Sequence, residues 1–95
     1  MKIHEFLTNK SQWTQGHFAR GVDGIPLINP KNPFAVSWCL MGLVKIIYNE
    51  TLHHTIYQMI TRELMTNDYN DLADWNDDPK RTFEDIKSLV TKLNI

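Results

Sequence analysis

The stretch from Asn32 to Tyr48, NPFAVSWCLMGLVKIIY, constrains this chain more than any other. Its only charge is Lys45, and Phe34, Val36, Trp38, Leu40, Met41, Leu43, Val44, Ile46 and Ile47 fill nearly every helical face. Pro33 suits a first helical position, and Asn32 before it can cap the free N–H groups. A helix apolar all round is a buried one. The stretch therefore predicts a central helix over about residues 33–48, with the other elements wrapped around it.

Ninety-five residues suit a single domain over 1–95, too short for two cores. Four Phe, three Tyr and three Trp supply bulk for that core. A net charge of −1 gives no global field toward nucleic acid or an anionic membrane, so direct nucleic-acid binding is not expected. The charge is uneven: residues 62–85 hold eight acids and three bases, whereas residues 1–61 hold three acids and five bases. The lone cysteine, Cys39, cannot form an internal disulfide, which suits a reducing compartment. MKIHEFLTNK lacks the apolar segment of a signal peptide, and no apolar run is long enough to span a bilayer. The expectation is a cytoplasmic protein.

Around the central stretch the reading is mainly α. Ile3, Phe6 and Leu7 suggest a short helix over about 2–10. Gly16 to Ile28, with the Asp23-Gly24 turn pair, reads as one β-hairpin, and Pro26 places its second strand at an edge. A break is expected near 49–51. From Thr51 to Thr66, Leu52, Ile56, Met59, Ile60 and Leu64 make a one-face stripe. Asn67 through Asn70 read as a turn, and Asp71 to Trp75 as a short helix. Thr82 with Asp85 is a capping-box variant opening a last helix, with Phe83, Ile86, Leu89, Val90 and Leu93 on its buried face. The expected fold is a small helical bundle with one hairpin.

Nothing in the spacing marks catalysis. Cys39 stands between Trp38 and Leu40, with Ala35, Val36, Leu43 and Lys45 on the adjoining turns, and reads as a small buried hydrophobe. His53 and His54 are adjacent and point about 100° apart on a helix, so they do not form a zinc pair. No metal, cofactor or catalytic residue is expected. The acidic residues Asp68, Asp71, Asp74 and Asp78 form a candidate surface for a basic partner. Trp13 and Trp75, with Gln15, Asn76, Asp77 and Arg81, are a candidate binding site in which the indoles wall a pocket; the plainer alternative makes them core anchors. Tyr48, Tyr57 and Met65 fall outside the main stripe and are candidates for self-association as a homodimer.

Trp13-Thr14-Gln15-Gly16, Trp38-Cys39-Leu40 with Gly42, Trp75-Asn76-Asp77, and Arg81-Thr82 with Asp85 follow one another in this order. In this the chain resembles, over roughly residues 11–93, a family of short uncharacterised bacterial and phage proteins. The resemblance implies a helical domain of bacterial or phage origin and carries over no catalytic residue. The expected function is that of a small non-enzymatic binding protein acting on a partner protein, as an inhibitor of a host defence system. The alternative is a protein that sequesters a small nucleotide signal, for which Lys2, Lys10, Arg20, Lys31, Lys45, Lys80 and Arg81 are the available cations. An enzyme of unassigned type is the second alternative.

Overall fold

The computed structural model describes residues 1–66 and 68–95. Among these, five α-helices and three two-residue strands follow the order α1 (Ile3–Phe6), β1 (Ala19–Arg20), β2 (Pro26–Leu27), β3 (Ser37–Trp38), α2 (Leu40–Ile47), α3 (Glu50–Glu63), α4 (Tyr69–Asp77) and α5 (Phe83–Leu93), with a 3-10 turn at Lys10–Gln12. The architecture is mainly α with a small antiparallel sheet ordered β2-β1-β3. Ala19 lies opposite both Leu27 and Trp38, and Arg20 opposite both Pro26 and Ser37. Pro26, which has no N–H to donate, thus sits on the edge strand.

The expected helix over 33–48 is corrected: its helical part is α2, Leu40–Ile47. Asn32 does cap, accepting from the Phe34 N–H at 2.9 Å, but Ala35 N–H closes a single turn on the Asn32 carbonyl at 3.0 Å. The chain then extends, and Val36 N–H donates to the Arg20 carbonyl at 2.9 Å, so that Ser37 and Trp38 join the sheet. An Asx-Pro cap reads the same whether one turn or a whole helix follows it. Here the gain from sheet pairing decides. Cys39 is the true N-cap, its Sγ accepting from Gly42 N–H at 3.4 Å. As a consequence Phe34 is 77 % exposed and Val36 42 % exposed.

Leu40, Leu43 and Val44 of α2 are fully buried and face α1, α3 and α4. Asn49 is the N-cap of α3, which places the helix break within the expected interval. The buried arc of α3 is Ile56, Tyr57, Ile60 and Thr61, rotated from the expected stripe; Leu52 is 44 % exposed. The rotation follows from α3 packing on two sides, against α2 and against α4, whose Tyr69 ring lies 5.0 Å from that of Tyr57. The turn expected at 67–70 begins outside the described residues; Asp68 is the N-cap of α4 and accepts from Asn70 N–H at 2.9 Å. The Thr82–Asp85 capping box opens α5, which buries Ile86, Leu89 and Val90. The helix expected over 2–10 is shorter, four residues, and docks on α5. There Lys87 Nζ donates to the Leu7 carbonyl at 2.7 Å and to the His4 carbonyl.

Sheet and helices meet at one close contact. The Phe18 carbonyl accepts from Cys39 N–H at 3.2 Å, and a Cβ on Gly42 would lie 2.3 Å from the same oxygen. Backbone stands where any side chain at 42 would go. Gly42→Ala is expected to push the Phe18 carbonyl off the α2 N-terminus. The expected destabilisation is about 2 kcal/mol, read as a lower urea midpoint with an unchanged slope.

Candidate functional site

Asn76 gathers most of the candidate site. Its side chain is buried on α4, with the residue 1 % exposed. Its Oδ1 accepts from Trp13 Nε1 at 2.8 Å and from Leu40 N–H at 3.0 Å. Its Nδ2 donates to the Thr14 carbonyl at 3.2 Å and to Asp77 Oδ1 at 2.9 Å. One amide therefore joins the 13–16 segment, the first free N–H of α2 and the end of α4. Asp77 Oδ1 also accepts from Gly16 N–H at 2.9 Å.

The remaining candidates close the C-terminus of α4. Asp78 precedes Pro79, which disfavours helical backbone, and its ψ of 128° leaves the helix. The last carbonyls then need donors. Gln15 Nε2 donates to the carbonyls of Asn76 at 2.9 Å and Asp78 at 2.8 Å. Arg81 Nε donates to the Trp75 carbonyl at 2.8 Å, while its guanidinium lies 3.9 Å from the Trp75 ring centre. Trp13, Gln15, Trp75, Asn76, Asp77 and Arg81 are thus brought to one end of α4. Trp13 Nε1, the Gln15 and Asn76 amides, Asp77 Oδ1 and Arg81 Nε are bonded within the chain, so the Trp13 indole anchors this helix end and the Trp75 ring is stacked on Arg81.

A cleft opens beside this network. It has a volume of about 390 Å³ and lies between the 16–18 loop and the Asn70, Ala73, Asp77 face of α4, with Cys39 and Met41 also lining it and Ile28 at its mouth. Asp77 borders it, and Asp77 Oδ2 carries no hydrogen bond among the described residues. The Cys39 thiol is held protonated: burial pushes its pKa up, outweighing the hydrogen bonds from Gly42 and Met41 that would lower it, and the Asp77 charge pushes the same way. The sequence pattern could not reveal this cleft, because nothing in it marks Phe18 or Ala73 and Met41 reads as part of an apolar helix.

Asp68, Asp71, Asp74 and Asp78 lie three, three and four residues apart, Asp71 and Asp74 on α4 and Asp68 and Asp78 at its caps, and none of the four lines the cleft. The first three are exposed and Asp78 is half-buried. Asp68 and Asp78 also cap local N–H groups, and Asp71 accepts from Thr66 Oγ1. Of the cations considered for a nucleotide, Arg20 is committed to Thr14 Oγ1 and to the Gln15 and Gly24 carbonyls. Lys45 lies 4.3 Å from the Phe18 ring centre. Of the residues considered for self-association, Tyr57 is 7 % exposed and belongs to the core, so it is withdrawn from any outer surface. Tyr48 is half-buried against the core, and Met65 is 93 % exposed with a left-handed φ of 57°. His53 Nε2 pairs with the Tyr48 carbonyl and His54 Nδ1 with Tyr69 Oη, each at 2.7 Å. Among the described residues no helix is long and apolar enough to cross a membrane.

These features define a mainly α domain whose signature residues lock one helix end beside a cleft that Asp77 borders. The chain belongs to DUF6197, a family of unknown function whose model matches residues 2–93. No curated protein and no solved structure matches it.

Two predictions follow from the buried polar groups. Asn76→Ala leaves Trp13 Nε1, Leu40 N–H and the Thr14 carbonyl without partners. An expected loss of about 3 kcal/mol or more, measured by urea unfolding, reflects desolvation of groups worth roughly 1–3 kcal/mol each. Burial also pushes the Tyr57 hydroxyl up to about 12 from 10, with Cys39 and Tyr69 adding to the effect. The folded chain then holds this proton more tightly than the unfolded chain does. The resulting stability is full below pH 10 and is lost as pH rises toward 12. Unfolding midpoints followed across this range should fall less steeply in Tyr57→Phe than in the parent.

Proposed function

We propose that this is a non-enzymatic binding protein of bacterial or phage origin that masks a partner protein through α4 and the cleft beside it. In a phage setting, the partner would be a component of host defence. The observation that carries the reading is the junction of two surfaces on one helix. α4 presents Asp71 and Asp74 to solvent, with Asp68 and Asp78 at its two caps, and lines the cleft with Asn70, Ala73 and Asp77, opposite Phe18 and Met41. Apolar anchors seated in a cleft supply affinity, while rim charges steer approach and exclude wrong partners. The complementary surface is a partner segment with an apolar side chain flanked by Lys or Arg. A basic side chain entering the cleft meets Asp77, whose Oδ1 is already held by Gly16 and Asn76 and whose Oδ2 is open to it.

The burial of α4 on its other side supports this reading. Leu72 and Asn76 are anchored in the core, so the acidic face is presented by a fixed helix. A rigid face loses less freedom on binding.

Two variants test it. Ala73→Trp fills the cleft, and Asp71→Lys with Asp74→Lys reverses the charge that α4 presents to solvent. The parent chain is expected to capture one host protein in a salt-sensitive manner, and each variant to weaken that capture at least tenfold while retaining the parent circular dichroism. Mass spectrometry of small molecules released on denaturation is expected to find no nucleotide. A stoichiometric nucleotide, or capture unaffected by both variants, overturns the reading.

A further inference from the structure

A pocket of about 310 Å³ lies between α3 and the start of α4, lined by His54, Gln58, Thr61, Arg62, Thr66 and Tyr69. It shares no lining residue with the cleft beside Asp77. His54, Gln58, Thr61 and Arg62 follow one another at intervals of four, three and one, so they share one face of α3. The helix then ends in a left-handed return. Met65 has a φ of 57°, its N–H donates to the Arg62 carbonyl at 3.2 Å, and Thr66 N–H reaches back to the Thr61 carbonyl at 2.9 Å. That return brings Thr66 to the pocket. Tyr69 is held there by its ring, 5.0 Å from that of buried Tyr57, and by the 2.7 Å bond between its Oη and His54 Nδ1.

All six lining side chains carry a hydrogen-bonding group, and among the described residues no carboxylate lines the pocket. Three donor groups are available. The Arg62 guanidinium and the Gln58 side-chain amide make no hydrogen bond or ion pair among the described residues. The His54–Tyr69 bond keeps a spare donor whichever way it runs: Nε2–H if Tyr69 donates, the Tyr69 O–H if Nδ1 donates. Two acids close by in the chain are engaged elsewhere, Asp71 with Thr66 Oγ1 and Glu63 with Lys92 Nζ. We propose that this pocket binds the phosphoryl group of a small phosphomonoester. Arg62 takes two oxygens through parallel N–H groups, the charge-assisted fork that suits phosphate, while Gln58 and the His54–Tyr69 pair donate to the rest. A phosphoryl group has three oxygens for three donor groups, whereas a carboxylate has two. The volume is at the lower bound of small-molecule sites, about 300–1,000 Å³, so the organic body of the ligand is small. The pocket and the cleft have no residue in common, so this proposal and the proposed function stand or fall separately.

Titration of the full chain with inorganic phosphate, followed by proton–nitrogen NMR at a fixed ionic strength of about 0.15 M, tests the proposal. The Arg62 Nε–H and Gln58 amide signals are expected to move and saturate, with a dissociation constant of about 1–10 mM for so few donors open to water. A ligand held this weakly is lost on purification, so the absence of released nucleotide expected above is unaffected. Glycerol 3-phosphate is expected to bind at least as tightly as phosphate, and acetate roughly fivefold more weakly or worse. Arg62→Gln, at an exposed position, is expected to weaken phosphate binding by roughly fivefold or more with an unchanged circular dichroism spectrum. Lys80→Gln, which removes the same charge outside the pocket, is expected to leave it unchanged. Signals that do not saturate overturn the proposal. So do acetate or Arg62→Gln binding that matches the phosphate value of the parent, glycerol 3-phosphate binding weaker than phosphate, and an equal loss in Lys80→Gln.

Discussion

The interaction on which the rest depends is the buried carboxamide of Asn76. An amide has two donors and acceptor capacity for two bonds, and Asn76 fills all four in directions set by three separate chain segments. Its bond to Leu40 N–H is a cap delivered from a distance, because the first N–H groups of a helix have no partner within it. Cys39 Sγ satisfies Gly42, and the Phe18 carbonyl satisfies Cys39. The start of the most apolar helix is thus wired to the sheet on one side and to α4 on the other. A carbon isostere at position 76 could fill the volume but could not perform this joining. That is why a polar group sits 1 % exposed beside fully buried Leu40 and Leu72.

This wiring separates what could be read from the sequence from what could not. The α5 boundaries were legible because Thr82 and Asp85 satisfy each other within one turn, and so were the buried Ile86, Leu89 and Val90. The start of α2 was not legible. Its caps are a sulfur and an amide 36 residues away in the chain, while the nearer Asn32-Pro33 signal spends itself on one turn. The Tyr57 misplacement has a similar origin. A one-face stripe assumes one packing partner, and α3 has α2 and α4 on two sides.

The candidate site shows the same division. Trp13, Gln15, Asn76, Asp77 and Arg81 attract notice in sequence because polar and aromatic groups recur at intervals. A free amide awaiting a ligand and a satisfied amide holding a helix end are written with the same letters. Only burial and bond partners distinguish them, and these come from segments roughly sixty residues apart. The cleft depends on such distances too, since Phe18 and Ala73 line it from segments that the bonds of Gly16 and Gln15 to Asp77 and Asn76 hold together.

The same ties explain why the far end of the sheet leaves Val22, Ile25 and Phe34 exposed. Gly42 admits the Phe18 carbonyl so closely that β1 is fixed at its first residues, and the chain beyond Arg20 projects past the helices. The projecting part is held by local bonds of its own. Asn29 Oδ1 accepts from Lys31 N–H and Asn32 Oδ1 from Phe34 N–H, both at 2.9 Å, while the Arg20 guanidinium grips the Gly24 carbonyl at 3.0 Å. None of these bonds needs Phe34 or Val22 to be apolar, so the fold does not require the apolar character of either. What the bonds do is hold Phe34 outward before any contact is made. A side chain on a backbone ordered in advance keeps its exposure without any contact to hold it, so the exposure of Phe34 is a property of the local bonds and not of the core.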